Sequence, residues 1–67
     1  MFVKDSVRMY QKEKAALKAE LQENLKKLTQ AIGREDFLRC ERYFLEIEQN
    51  IQDLDEIQFH LDLAVSN

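Results

Sequence analysis

A single glycine, Gly33, stands at the midpoint of a chain that contains no proline. Helix breakers are therefore missing on both sides of one interruption, and Ala, Leu, Glu, Lys, Gln and Arg, all good helix formers, dominate what remains. Glycine just past a helical run is the favoured C′ residue, because it takes positive φ without a Cβ clash. The acids of Arg34-Glu35-Asp36 follow, where the free N–H groups of a new helix welcome negative charge. The pattern predicts an all-α, two-helix antiparallel hairpin of coiled-coil type. Helix one spans about residues 5–32, the turn 33–35 and helix two 36–65, all in one domain.

Hydrophobic periodicity places a face on each helix. In the first, the inward stripe reads Val3, Val7, Tyr10, Lys14, Leu17, Leu21, Asn24/Leu25, Leu28 and Ala31/Ile32. In the second, Phe37, Cys40, Phe44, Ile47, Ile51, Leu54, Gln58, Leu61 and Val65 alternate steps of three and four, a heptad seam kept up for about four heptads. Two-residue alternation is nowhere sustained, so strands are not expected.

Charge divides at the glycine. Through Gly33 there are seven Lys/Arg and four Asp/Glu; after it there are three and nine. If partners across the turn have numbers totalling roughly 67, Lys14 faces Asp53, Lys12 faces Asp55 and Glu23 lies near Arg42. Each exposed pair contributes only about 0–1 kcal/mol, but mismatched like charges disfavour other registers. Lys14 is expected to reach towards acids on the facing helix, and Asn24 and Gln58 to help set the register.

Size then limits what the chain can do. A 67-residue hairpin buries little of its surface and needs a staple. One cysteine, Cys40, makes no internal disulfide, and one histidine plus one cysteine do not fill a structural zinc site of about four ligands. The remaining staple is a partner chain, either another protein or a second copy. No metal or cofactor is expected. Cys40 lies on the seam about 30 Å along the same helix from His60, so the two do not form a nucleophile–base pair. His60 follows Glu56 by four residues and reads as a solvated pair. No glycine-rich phosphate loop is present and the net charge is −3, which argues against nucleic-acid binding. No apolar run approaches the roughly 20 residues of a membrane span, and Met1-Phe2-Val3-Lys4-Asp5 has no signal-peptide character, so a cytoplasmic location is expected.

A second apolar stripe on helix two carries the functional expectation. Leu38, Leu45 and Phe59 recur at heptad spacing, with Gln52 in the gap, about 100° from the seam; Tyr43 and Ile57 widen the seam on its other flank. One neighbouring helix covers only one side, so these five residues are the candidate partner-binding set, docking as a helix face docks in a groove. Ala15, Ala16 and Ala19 on helix one form a small-residue patch that fits either a close helix crossing or simply alanine's helix propensity.

The midpoint turn Ile32-Gly33-Arg34-Glu35-Asp36 and its two flanking amphipathic helices, over residues 6–65, resemble the small co-chaperones of bacterial type III secretion needle subunits. The resemblance is one of architecture. It implies a short cytosolic hairpin, non-enzymatic, that pairs with a larger tetratricopeptide-like chaperone and with it holds the needle subunit soluble. The alternatives are a homodimeric four-helix bundle acting as scaffold or regulator, and a small subunit of a larger helical assembly.

Overall fold

The computed structural model describes the backbone of residues 2–66 and the side chains of residues 5–66. Two helices, α1 (Phe2–Gly33) and α2 (Phe37–Ser66), pack along their length as an antiparallel hairpin about 51 Å long and 14 × 11 Å across. The all-α hairpin expected from the sequence is what forms. α1 runs beyond its expected ends on both sides, α2 begins and ends one residue later than expected, and the turn shifts to Arg34, Glu35 and Asp36. The side chain of Val3 lies outside the described residues.

The turn corrects the role of Gly33. Glu35, not the glycine, takes the left-handed conformation, with φ at 57°. Its N–H donates to the Ile32 carbonyl (3.0 Å) and the Asp36 N–H donates to the Ala31 carbonyl (2.9 Å), the paired bonds of a Schellman cap. Asp36 then caps α2. Its Oδ1 accepts the Arg39 N–H at 3.3 Å, its carbonyl accepts the Cys40 N–H at 3.0 Å, and its Oδ2 pairs with Arg39 Nε at 3.4 Å. One residue thus ends α1 through its N–H and starts α2 through its carboxylate. That double duty puts the left-handed position directly before Asp36, and Gly33 stays in the last turn of α1.

The α1 stripe faces inward as expected. Val7, Tyr10, Lys14, Leu17, Leu21, Asn24, Leu28 and Ala31 are buried or half-buried, whereas Leu25 and Ile32 are exposed. On α2 the seam differs from the sequence reading. Cys40, Ile47, Leu54 and Leu61 face α1 as expected, but their companions are Tyr43, Asn50, Ile57 and Ala64. Phe37, Phe44, Ile51, Gln58 and Val65 are exposed, Phe37 at 69% and Phe44 at 55%. Relative to the more apolar seam, α2 is turned by about 50° about its axis.

Buried polarity explains the rotation. Asn24 sits on the α1 seam, and a buried amide without a partner costs about 1–3 kcal/mol. Asn50 supplies the partner: Asn24 Nδ2 donates to Asn50 Oδ1 at 2.7 Å, with both residues about 95% enclosed. No apolar residue of the alternative seam offers an acceptor. The resulting core is thin. Among the described residues only Ala31, Ile47 and Leu61 are buried apolar groups, and no large side chain is wholly enclosed.

The register differs as well. The Asn24–Asn50 and Lys14–Gln58 bonds join residues whose numbers total 74 and 72, not 67. The expected pairs Lys14–Asp53, Lys12–Asp55 and Glu23–Arg42 do not form, because the turn centres near Glu35. Lys14 Nζ instead donates to Gln58 Oε1 (2.7 Å), and Gln58 Nε2 donates to Asp62 Oδ1 (2.9 Å). Among the described residues the ion pairs lie within α2 and its cap; none joins α1 to α2.

Candidate protein-docking face

The rotation of α2 decides what the hairpin shows to its surroundings. With the seam on Cys40/Tyr43, Ile47/Asn50, Leu54/Ile57 and Leu61/Ala64, the neighbouring heptad row on one flank is Phe37, Phe44, Ile51, Gln58 and Val65. The row flanking the α1 seam on the same side is Gln11, Lys18, Leu25 and Ile32. Their common side is visible in a groove of about 750 Å³ bordered by Gln11 and Lys18 from α1 and by Gln58 and Val65 from α2, with Ala15 and Ala19 beside it. Towards the turn, the same two rows carry Leu25 and Ile32 from α1 and Phe37, Phe44 and Ile51 from α2. All five are exposed. These five side chains form an apolar face on one side of the rod. Their exposed number exceeds the three apolar groups buried between the helices.

The opposite side is polar. Its rows hold Glu13, Glu20 and Lys27 from α1 and Arg39, Glu46, Asp53 and His60 from α2. A groove of about 530 Å³ there includes Tyr10, Glu13, Asp53 and His60. Tyr10 stacks on His60 with centroids 5.5 Å apart and planes at 12°, while Phe59 meets the same imidazole edge-on at 5.9 Å. His60 Nε2 lies 3.9 Å from Glu56 Oε1. The imidazole is thus held as an aromatic spacer between helices. Among the described residues no group of three or more His, Cys, Asp or Glu side chains is placed to hold a metal ion. Cys40 is half-buried on the seam.

The five residues assigned to partner binding from the sequence divide in two. Leu38, Leu45 and Phe59 lie on the far side of α2 from α1, exposed at 83%, 61% and 60%. Tyr43 and Ile57 are half-buried members of the intramolecular seam, so their inward surfaces are already occupied by α1. These two contribute to the hairpin seam as well as to its half-exposed edge. Between the exposed Phe37/Phe44/Ile51 row and the Leu38/Leu45/Phe59 row runs a third row, Glu41, Glu48, Asp55 and Asp62, acidic at every seventh residue and exposed throughout.

Periodicity alone does not mark Phe37, Phe44 and Ile51 as an outward face, because they complete the more apolar of the two possible seams. The signal that finds them is the asparagine pair. Two asparagines on facing stripes, at compatible distances from the turn, require each other once either is buried.

Comparison with family models, curated proteins and solved structures finds no match to this chain. No helix of the described residues is long and apolar enough to cross a membrane.

Proposed function

We propose that this chain is a non-enzymatic protein-binding module, a helical hairpin that completes its hydrophobic core against the helices of another chain. The observation that carries the reading is the exposed face of Leu25, Ile32, Phe37, Phe44 and Ile51 beside so thin an internal core. Area supports it. A compact monomer of 8.0 kDa exposes about 4,450 Å², whereas this chain exposes 5579 Å², a surplus of about 1,100 Å². A stable protein interface takes about 800 Å² from each partner. The surplus is of the size that one such interface removes.

Cytoplasmic assembly partners of helical type suit this face, and a co-chaperone that steadies a larger chaperone and its cargo is one form of the same activity. The test is paired. The double variant Phe44→Ser/Ile51→Ser should keep its helicity by circular dichroism, because neither residue lies in the hairpin seam. It should lose the proteins, copies of itself included, that the wild-type chain captures when immobilised. Capture of the same proteins by both chains would refute the reading.

A further inference from the structure

We propose that the occupant of the apolar face is a second copy of this chain, related by a two-fold axis parallel to the rod, so that the two turns lie at the same end of a four-helix bundle. The inference rests on the docking reading above and names the partner for it.

Charge is the first argument. The halves of the chain carry opposite net charge, +3 through Gly33 and −6 after it. Within the hairpin this division does no pairing among the described residues, since the ion pairs there are confined to α2 and its cap. Lys18 on α1 sits on the flank that bears the apolar face, with Glu48, Asp55 and Asp62 of α2 beside that face, while Lys12 and Lys26 lie further round on the outward row of α1; all six are exposed. The chain thus presents a basic α1 and an acidic row on α2 to either side of the apolar face, and a second copy is a surface that offers the complement of each.

Symmetry decides the arrangement. Two hairpins stacked through one face admit two kinds of two-fold axis. An axis across the rods puts the turns at opposite ends and lays α2 on α2 and α1 on α1. The row Glu41, Glu48, Asp55, Asp62 then runs beside its own copy, which is repulsive along its length. An axis along the rods lays α1 on the second copy's α2, antiparallel, at the same height as in its own hairpin. Residues whose numbers total 72–74 are level there, as the Asn24–Asn50 and Lys14–Gln58 bonds show. Lys12 with Asp62, Lys18 with Asp55 and Lys26 with Glu48 total 73 or 74. Lys18 and Asp55 therefore come level beside the apolar face, and the outward Lys12 and Lys26 come level with Asp62 and Glu48 at its outer edge, within reach of a lysine's long stem.

The same axis treats the apolar residues consistently. Phe44 of one copy falls at the height between Leu25 and Ile32 of the other, and Phe37 and Ile51 flank it. Ten large side chains, five from each copy, then close a core at the turn end. The polar side with Glu20, Glu46, Asp53 and His60 stays in water on both copies. The interface is isologous and closed, so it ends at two chains.

Sedimentation of the full chain, together with a distance measurement at the turn, tests this. The wild type should sediment as a dimer, at about twice the monomer mass of 8.0 kDa. Spin labels on Arg34→Cys in a Cys40→Ala background should lie within about 20 Å of each other, a few helix diameters at most. Turns at opposite ends would put them near the 51 Å length of the rod. Lys18→Glu should weaken the dimer about tenfold, and adding Asp55→Lys should restore it; Phe44→Glu should give a helical monomer. A label distance near the rod length overturns the arrangement. A dimer unmoved by both Phe44→Glu and the milder Phe44→Ser overturns the face. A wild-type monomer throughout the micromolar range overturns the second copy as occupant, while the capture experiment with Phe44→Ser/Ile51→Ser decides the docking reading separately.

Discussion

The buried asparagine pair is the point at which one bond is argued to choose between two packings, so its removal should be informative out of proportion to its size. Asn24 and Asn50 share one hydrogen bond of 2.7 Å and are 6% and 5% exposed. Replacing Asn50 by Leu, similar in shape, leaves the Asn24 amide enclosed with no acceptor. The expected loss is about 1–3 kcal/mol, the usual penalty for a buried group stripped of its partner. A domain of this length has a total stability of roughly 3–10 kcal/mol, so the midpoint of thermal unfolding should fall by at least several degrees. Asn24→Leu should cost a similar amount. The double variant should recover most of the loss, because no amide remains unpaired, and two leucines add apolar burial at about 25 cal/mol per Å². The measurement is a double-mutant cycle by urea unfolding followed by circular dichroism, with all four chains at one fixed concentration because association would shift the midpoint. A favourable coupling of about 1–3 kcal/mol is expected. Losses that simply add, or single variants within about 0.5 kcal/mol of wild type, would refute the claim that the pair sets the seam. The double variant carries a second expectation. Freed of the pair, α2 can turn by about 50° and bury Phe44 and Ile51 against α1. Protection of the Cys40 thiol should change little, since Cys40 belongs to both seams, while the exposed apolar surface reported by a hydrophobic dye should fall.

Two further expectations concern the turn and the seam. Gly33→Ala should stabilise the hairpin by about 0.5–1 kcal/mol, because the glycine is helical and a Cβ there meets nothing within 4 Å. Glu35→Gly should stabilise it by a similar amount by relieving the left-handed φ of 57°. Both are read from thermal melts, and a loss of stability in either would mean that the cap is misassigned. Ile47→Ala should cost about 2–4 kcal/mol, since Ile47 is 7% exposed between the helices. Ile51→Ala should leave the unfolding midpoint of the dilute chain nearly unchanged and weaken self-association instead. Equal destabilisation of the dilute chain by both would restore the more apolar seam.

Much of the architecture was legible because it depends on local properties. The absence of proline, the helix-forming composition and one break near the middle allow little besides two helices and a turn, and a turn of three residues makes the helices antiparallel neighbours. The cap at Asp36 was half legible. An acid before an apolar run marks a helix start, but only the backbone bonds to Ala31 and Ile32 show that the left-handed residue is Glu35 and that Gly33 remains helical. What the sequence alone left undetermined was the rotation of α2 about its own axis. Cys40, Ile47, Leu54 and Leu61 belong to both possible seams, and periodicity favours the set with Phe37, Phe44 and Ile51 because it counts apolar residues. Tertiary structure chose the set with Asn50, because a buried amide must find its partner across the interface and hydrophobic residues can remain outside. That choice is a pairwise property of two helices, invisible to the periodicity of either. It is also the choice that leaves Phe37, Phe44 and Ile51 outside the hairpin core as an exposed apolar face.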